Sequence, residues 1–147
     1  MNNGIITYST TLNWQDLASR ERTGNFLIIR SIECFLIKKI IINNSYTIPS
    51  LPVAIPVAEE SLNDVGIEYL FSDAGFLNTN VFQFGALPIG LIRLDNYIVL
   101  SRSGSWDFNG IYVTNNLRVT YNYRNASLIN GINLLSTIIV EIQDISR

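Results

Sequence analysis

Twelve carboxylates and no histidine define the chemistry open to this chain. Without an imidazole there is no Ser–His–Asp triad, no Cys–His pair and no His-ligated zinc. The single cysteine, Cys34, cannot complete a cysteine-rich metal site. Gly85, Gly90, Gly104 and Gly110 lack the spacing of a phosphate-binding loop and read as turn punctuation. What remains is acid–base work by two carboxyl groups, as in glycoside hydrolysis. Glu59, Glu60, Asp64 and Glu68 cluster in sequence, and Asp95 and Asp107 lie beside a late aromatic segment. Such acids ordinarily sit in solvated loops and turns, and that reading is preferred here. Asp107-Phe108-Asn109-Gly110 resembles a fragment of a calcium loop but lacks the closing acid, so a hairpin turn is the simpler reading. The expectation is a non-enzyme with no cofactor and no metal.

A second constellation is aromatic. Trp106, Phe108, Tyr112, Tyr121 and Tyr123 fall within eighteen residues, with Arg102, Arg118 and Arg124 among them. Exposed rings of this kind stack on sugars while Asn, Asp and Arg read the hydroxyls. The same residue types anchor protein interfaces. A third reading makes Tyr121 and Tyr123 core, with Trp106 plugging one end of the domain. Core or interface is favoured over glycan. The candidate interface or ligand contacts are Trp106, Tyr112, Arg118 and Arg124, with Trp14 near the N-terminus. Aromatic and arginine residues also serve single-stranded nucleic acid, but a net charge of −2 argues against that partner.

Composition admits a surface built for contact, or a bias of the coding sequence. The 147 residues include 22 Ile and 17 Asn, and only 15% are charged, against about 25% in a typical domain. Lys38 and Lys39 are the only lysines, while arginine supplies the other eight cations. A free domain usually guards its surface and sheet edges with charge, lysine above all. A surface of Asn, Ser, Thr and Tyr is easily desolvated, and arginine suits interfaces better than lysine. Permanent packing against other subunits explains this pattern; an AT-rich coding sequence explains the Ile and Asn but not the missing lysine.

No signal peptide is visible after Met1. The most apolar stretch, Phe26 to Ile42, carries Arg30, Glu33, Lys38 and Lys39, too many charges for a membrane span. Cys34 reads as a small buried hydrophobe.

The elements that must position these residues are β-strands. Residues 1–25 are polar and read as an arm or short helix outside the core, with Thr11 or Asn13 capping Trp14 to Arg20. Residues 26–147 form one domain. Phe26 to Ile42 is rich in β-branched residues and predicts two strands, or one broken by a bulge near Ser31–Cys34. Asn43-Asn44-Ser45 predicts a turn, and Pro49, Pro52 and Pro56 predict an extended surface segment. A helical turn is expected at Ala58 to Asn63. Strands are expected at Ile67–Phe71, Val81–Phe84 and Leu91–Ser101. Between 111 and 123 apolar and polar residues alternate, with a hairpin at Asn109-Gly110 or at Asn115-Asn116. Thr137 to Ile145 closes the chain with Ile138, Val140 and Ile142 facing inward. About eight short strands predict an all-β fold, an antiparallel β-sandwich or barrel.

With its polar arm, eight β-rich segments, proline segment and terminal strand, the chain resembles a small jelly-roll structural protein of a virus, such as a bacteriophage capsid or vertex subunit. The resemblance rests on architecture and composition over the whole chain. It implies two four-stranded sheets face to face, a location in the virion after synthesis in the host cytoplasm, and homo-oligomers beside other structural proteins. The alternative function is a carbohydrate- or receptor-binding sandwich.

Overall fold

The computed structural model describes residues 4–15, 23–30, 32, 34–49, 65–74, 80–84, 89–93, 97–114, 116–125 and 131–145. For residues 80–84, 89, 91, 93, 124 and 125 it describes the backbone alone. Nine strands account for most of them: β1 (Ile5–Trp14), β2 (Thr23–Ile29), β3 (Phe35–Pro49), β4 (Val65–Asp73), β5 (Asn80–Phe84), β6 (Ile89–Arg93), β7 (Tyr97–Val113), β8 (Leu117–Asn125) and β9 (Asn133–Asp144). They form two antiparallel sheets, with orders β1-β9-β3-β7-β6 (sheet A) and β2-β8-β4-β5 (sheet B).

The pairing is nested. The first strand pairs with the last, β2 with β8, β3 with β7 and β4 with β5. One long antiparallel ribbon wound on itself gives this order, with β3·β9 and β4·β8 as the seams where the ribbon meets itself. This is the jelly roll, two four-stranded sheets face to face, with β6 added at one edge. The all-β sandwich expectation holds.

Between the sheets, residues of β1–β4 and β7–β9 on the inward side supply the core. Phe35, Ile37, Ile40, Ile42, Tyr46 and Ile48 of β3 are all fully buried, as are Ile138, Val140 and Ile142 of β9. Phe71, Val119 and Leu117 face them from sheet B. The three-residue step from Ile37 to Ile40 breaks strict alternation. A register shift at Lys38 absorbs it against both neighbours, so both halves of β3 keep their apolar side inward.

Several expectations are corrected. Residues 5–14 are not an arm or helix but β1, in register with β9 along its length, and residues 23–25 open β2. The tertiary ladder overrides the capping signal at Asn13, which lies within the strand; the helix expected onward to Arg20 falls on 16–20, outside the described residues. Phe26 to Ile42 does form parts of two strands, β2 ending at Ile29 and β3 beginning at Phe35, and β3 carries a further bulge at Lys38. Asn43-Asn44-Ser45 runs straight through β3, because Asn44 is buried in the core and hydrogen-bonded there. Leu91–Ser101 is divided between β6 and β7. Cys34 is half-buried, and its carbonyl accepts the Ile145 amide at 3.1 Å. Pro52, Pro56 and the segment Ala58–Asn63 lie outside the described residues.

Asn109-Gly110 is likewise not a hairpin. It lies inside β7, where three residues, Phe108 to Gly110, oppose the single Lys38. The positive φ that a type I′ turn requires is used here for the bulge, with Gly110 at φ +129°. Lys38 Nζ donates to the Asn109 carbonyl at 3.2 Å and closes it. The connection from β7 to β8 falls at 114–116 and crosses from sheet A to sheet B. Buried Asp73 holds it by accepting the Thr114 amide at 2.9 Å and the Thr114 hydroxyl.

Gly110→Ala is expected to cost about 1–3 kcal/mol in urea unfolding, because alanine resists that backbone conformation. Gly90→Ala, at an exposed position where an added Cβ meets only ordinary contact, is expected to change stability by no more than about 0.5 kcal/mol.

Candidate functional site

The outer face of sheet A is built from the residues opposite to the core set. The register places them in rows across the strands β1, β9, β3 and β7. Asn13, Leu135, Ser45 and Ser101 form one row; Thr11, Thr137, Asn43 and Ser103 the next; Ser9, Ile139, Ile41 and Ser105 a third. None of these twelve side chains is charged. Charge enters in the fourth row, Thr7, Glu141, Lys39 and Asp107, where Lys39 Nζ lies 3.8 Å from Asp107. That pair is solvent-exposed and contributes little.

Apolar side chains complete this face. Among the described residues, the exposed large hydrophobics are Ile5, Ile92, Tyr97, Tyr112 and Leu135. Every one belongs to a strand of sheet A and lies on the outward side. A shallow depression of about 290 Å³ opens at the centre, between Asn43, Ser45, Ser101, Ser103, Leu135 and Thr137. Hydroxyls and amides here donate and accept hydrogen bonds and carry no charge near neutral pH. Neutral polar groups are also far cheaper to remove from water than charges. This arrangement suits contact.

The candidate residues do not converge on one site. Trp14 is buried at the end of β1, its ring 4.8 Å from that of Tyr121 at an angle of 52°, so it bridges the two sheets within the core. Trp106 turns inward from β7, lies over Gly104 and packs against the core. Tyr112 points outward, because the bulge at 108–110 reverses the side on which later residues of β7 fall. Trp106 and Tyr112 therefore occupy opposite faces of one strand. Arg118 lies on the outer face of sheet B and donates from Nε to the Ser72 hydroxyl at 3.3 Å. The Arg124 backbone pairs with Gly66; its side chain is outside the described residues.

The acids are also dispersed. Glu68 lies on the outer face of sheet B opposite Asn122, and Asp107 on that of sheet A. Glu59, Glu60, Asp64 and Asp95 lie outside the described residues. Among the described residues no three His, Cys, Asp or Glu side chains group as metal ligands.

Sequence reasoning missed a polar cluster inside the sandwich. Tyr69 hydrogen-bonds Ser136 Oγ at 3.0 Å and donates to Asn44 Oδ1 at 3.3 Å, joining the two sheets. Arg102 is buried beside it and donates from Nε to the Val65 carbonyl at 2.7 Å. The Tyr46 hydroxyl and Asn44 Nδ2 have no hydrogen-bond partner among the described residues. The nearby Asn44 side chain eases Tyr46 ionisation without meeting the geometry of a hydrogen bond. Burial drives the Tyr46 phenol far above its ordinary range, and nearby Tyr69 adds to the effect while Arg102 opposes it. Burial also raises Tyr69, against the pull of its bonds to Ser136 and Asn44. The signal available in sequence was the inward parity of Asn44, Tyr46, Tyr69 and Ser136 with flanking Ile and Leu.

These phenols couple stability to alkaline pH. Both folded-state values lie above the ordinary 10.0, so above pH 10 the unfolded chain releases protons that the folded chain keeps. Stability is expected to be fully present below that pH and to fall above it by up to about 1.4 kcal/mol per pH unit for each tyrosine. Tyr46→Phe is expected to reduce that slope, and to change stability near neutral pH by no more than about 1 kcal/mol because it removes an unsatisfied group. Urea titrations at several pH values would show both.

The sequence matches no family model and no curated protein. Among solved structures, the chain is similar to a protein of Bacillus endospore appendages, which form a family of disulfide-linked pili. That likeness has 14% identity and a TM-score of 0.31, and covers 99% of this chain and 96% of the other. It is also similar to the VP2 protein of infectious bursal disease virus, in a D431N mutant forming derived T=1 particles. There the identity is 7% and the TM-score 0.26, over 98% of this chain and 40% of the other. The neighbours are remote, and the jelly-roll assignment rests on the strand order.

Proposed function

We propose that this chain is a non-enzymatic structural subunit of a virion or similar assembly, a minor capsid or vertex protein of a bacterial virus. It acts through interfaces with its own copies and with other structural proteins, after synthesis in the host cytoplasm. The observation that carries this reading is the outer face of sheet A, where three successive rows lack charge and where, among the described residues, the exposed large hydrophobics collect. A surface so composed loses little on desolvation and gains from apolar burial, as interface cores do. The scarcity of lysine supports the same reading, since an ordinary free domain defends itself with charge. No described helix is long and apolar enough to cross a membrane.

Size-exclusion chromatography with light scattering, at low and high salt, tests the proposal. A discrete oligomer that survives high salt is expected, because an uncharged interface is not screened. Leu135→Lys combined with Tyr97→Lys is expected to weaken it while leaving the folded spectrum unchanged. A monomer under both salt conditions would contradict self-assembly, and a glycan screen would then examine the sugar-binding alternative.

A further inference from the structure

The open edges of the two sheets are defended unequally. β5 and β6 are five residues each. β2 carries a register shift between Leu27 and Ile29. The half of β7 beyond β6 is bulged at 108–110 and carries Asp107. Shortness, bulges and charge are the usual means of stopping an edge from pairing with another chain. β1 has none of them. Its ten residues, IITYSTTLNW, contain no charge, glycine or proline and stay in unbroken register with β9. No described backbone group outside the β9 ladder bonds to Ile5 through Asn13. Alternate residues from Ile5 through Asn13 therefore present amide and carbonyl groups away from β9.

The strand is also complementary to itself. In an antiparallel pair, residues on one face must oppose residues of the same face. A two-fold axis at Ser9 does this, placing Thr7 opposite Thr11 and Ile5 opposite Asn13 on the outer face. On the inner face it places Tyr8 opposite Thr10 and Ile6 opposite Leu12. Ile6, Tyr8 and Leu12 are only partly buried against the core, and this pairing would cover them. Thr–Thr and aromatic–β-branched pairs are favourable across strands, and no like charges meet.

We propose that β1 is a homotypic docking edge. Two copies pair β1 to β1 antiparallel about a two-fold axis at Ser9, joining two A sheets into one continuous ten-stranded sheet. Such an isologous contact closes on itself. It leaves the outer face of sheet A free for further contacts, and it does not depend on the chain being a virion component.

The test uses two double variants that differ only in charge sign. Thr7→Lys with Thr11→Lys sets lysine opposite lysine twice across the axis, whereas Thr7→Lys with Thr11→Glu sets lysine opposite glutamate twice. The all-lysine variant is expected to dimerise on the order of tenfold more weakly than the Lys/Glu variant by sedimentation. Equal behaviour of the two, or a wild-type chain that is monomeric throughout, would overturn the proposal. Ser9→Cys, in a Cys34→Ser background, is expected to form a disulfide-linked dimer under mild oxidation, while Asn122→Cys, exposed on sheet B, in the same background is not. Absence of that cross-link in an oligomeric sample would overturn the edge pairing and leave the structural-subunit reading standing.

Discussion

The pairing of β3 on both of its edges is the constraint on which the rest depends. This fifteen-residue strand runs between β7 and β9, and its inner side is buried from Phe35 to Ile48. One extra residue, Lys38, keeps the apolar side inward through a change of phase. Remove that bulge and either Phe35 and Ile37 or the five inward residues from Ile40 onward would face solvent. The same point bends β7, reverses the side on which Tyr112 emerges, and requires glycine at 110.

The interior and the exterior of sheet A then have separate tasks. Inside, Ile and aromatic side chains exclude water, while Asn44, Tyr69 and Ser136 tie the two sheets by hydrogen bonds. A buried polar network of this kind adds specificity to a core whose Ile stripes could otherwise slide in steps of two residues. Outside, the same strands carry Ser, Thr and Asn with scattered Ile and Leu. Because the side-chain period is two, one register sets both surfaces. A substitution that shifts β3 would disrupt the core and the outer face together.

Much of this architecture was legible in the residues. Ile67–Phe71, Val81–Phe84 and Thr137–Ile145 lie within observed strands or extend them, since period-two alternation and β-branching leave few alternatives. β1 was hidden because its outward Thr, Ser and Asn have the composition of a loop; only pairing with β9 reveals them as one side of a strand. Asn43-Asn44-Ser45 misled for the opposite reason, as tertiary hydrogen bonds override turn propensity. Asn109-Gly110 signalled positive φ, which Gly110 adopts, but could not say whether a hairpin or a bulge would use it. That ambiguity also obscured where two of the candidate residues lie. Trp106 and Tyr112 share parity in sequence, so simple alternation puts them on one face, and the bulge separates them. The gathering of exposed Ile5, Ile92, Tyr97, Tyr112 and Leu135 depended on strand order, which no local pattern contains.

The central claim is that sheet A, and not sheet B, makes the subunit contacts. Amide hydrogen exchange measured at low and high protein concentration tests it most directly, because association slows exchange only where it restrains local opening. Exchange in β1, β9 and β6 should slow as concentration rises, while β2, β4 and β8 stay unchanged. Slowing confined to the sheet B strands, or no dependence on concentration in a sample shown to be oligomeric, would contradict it.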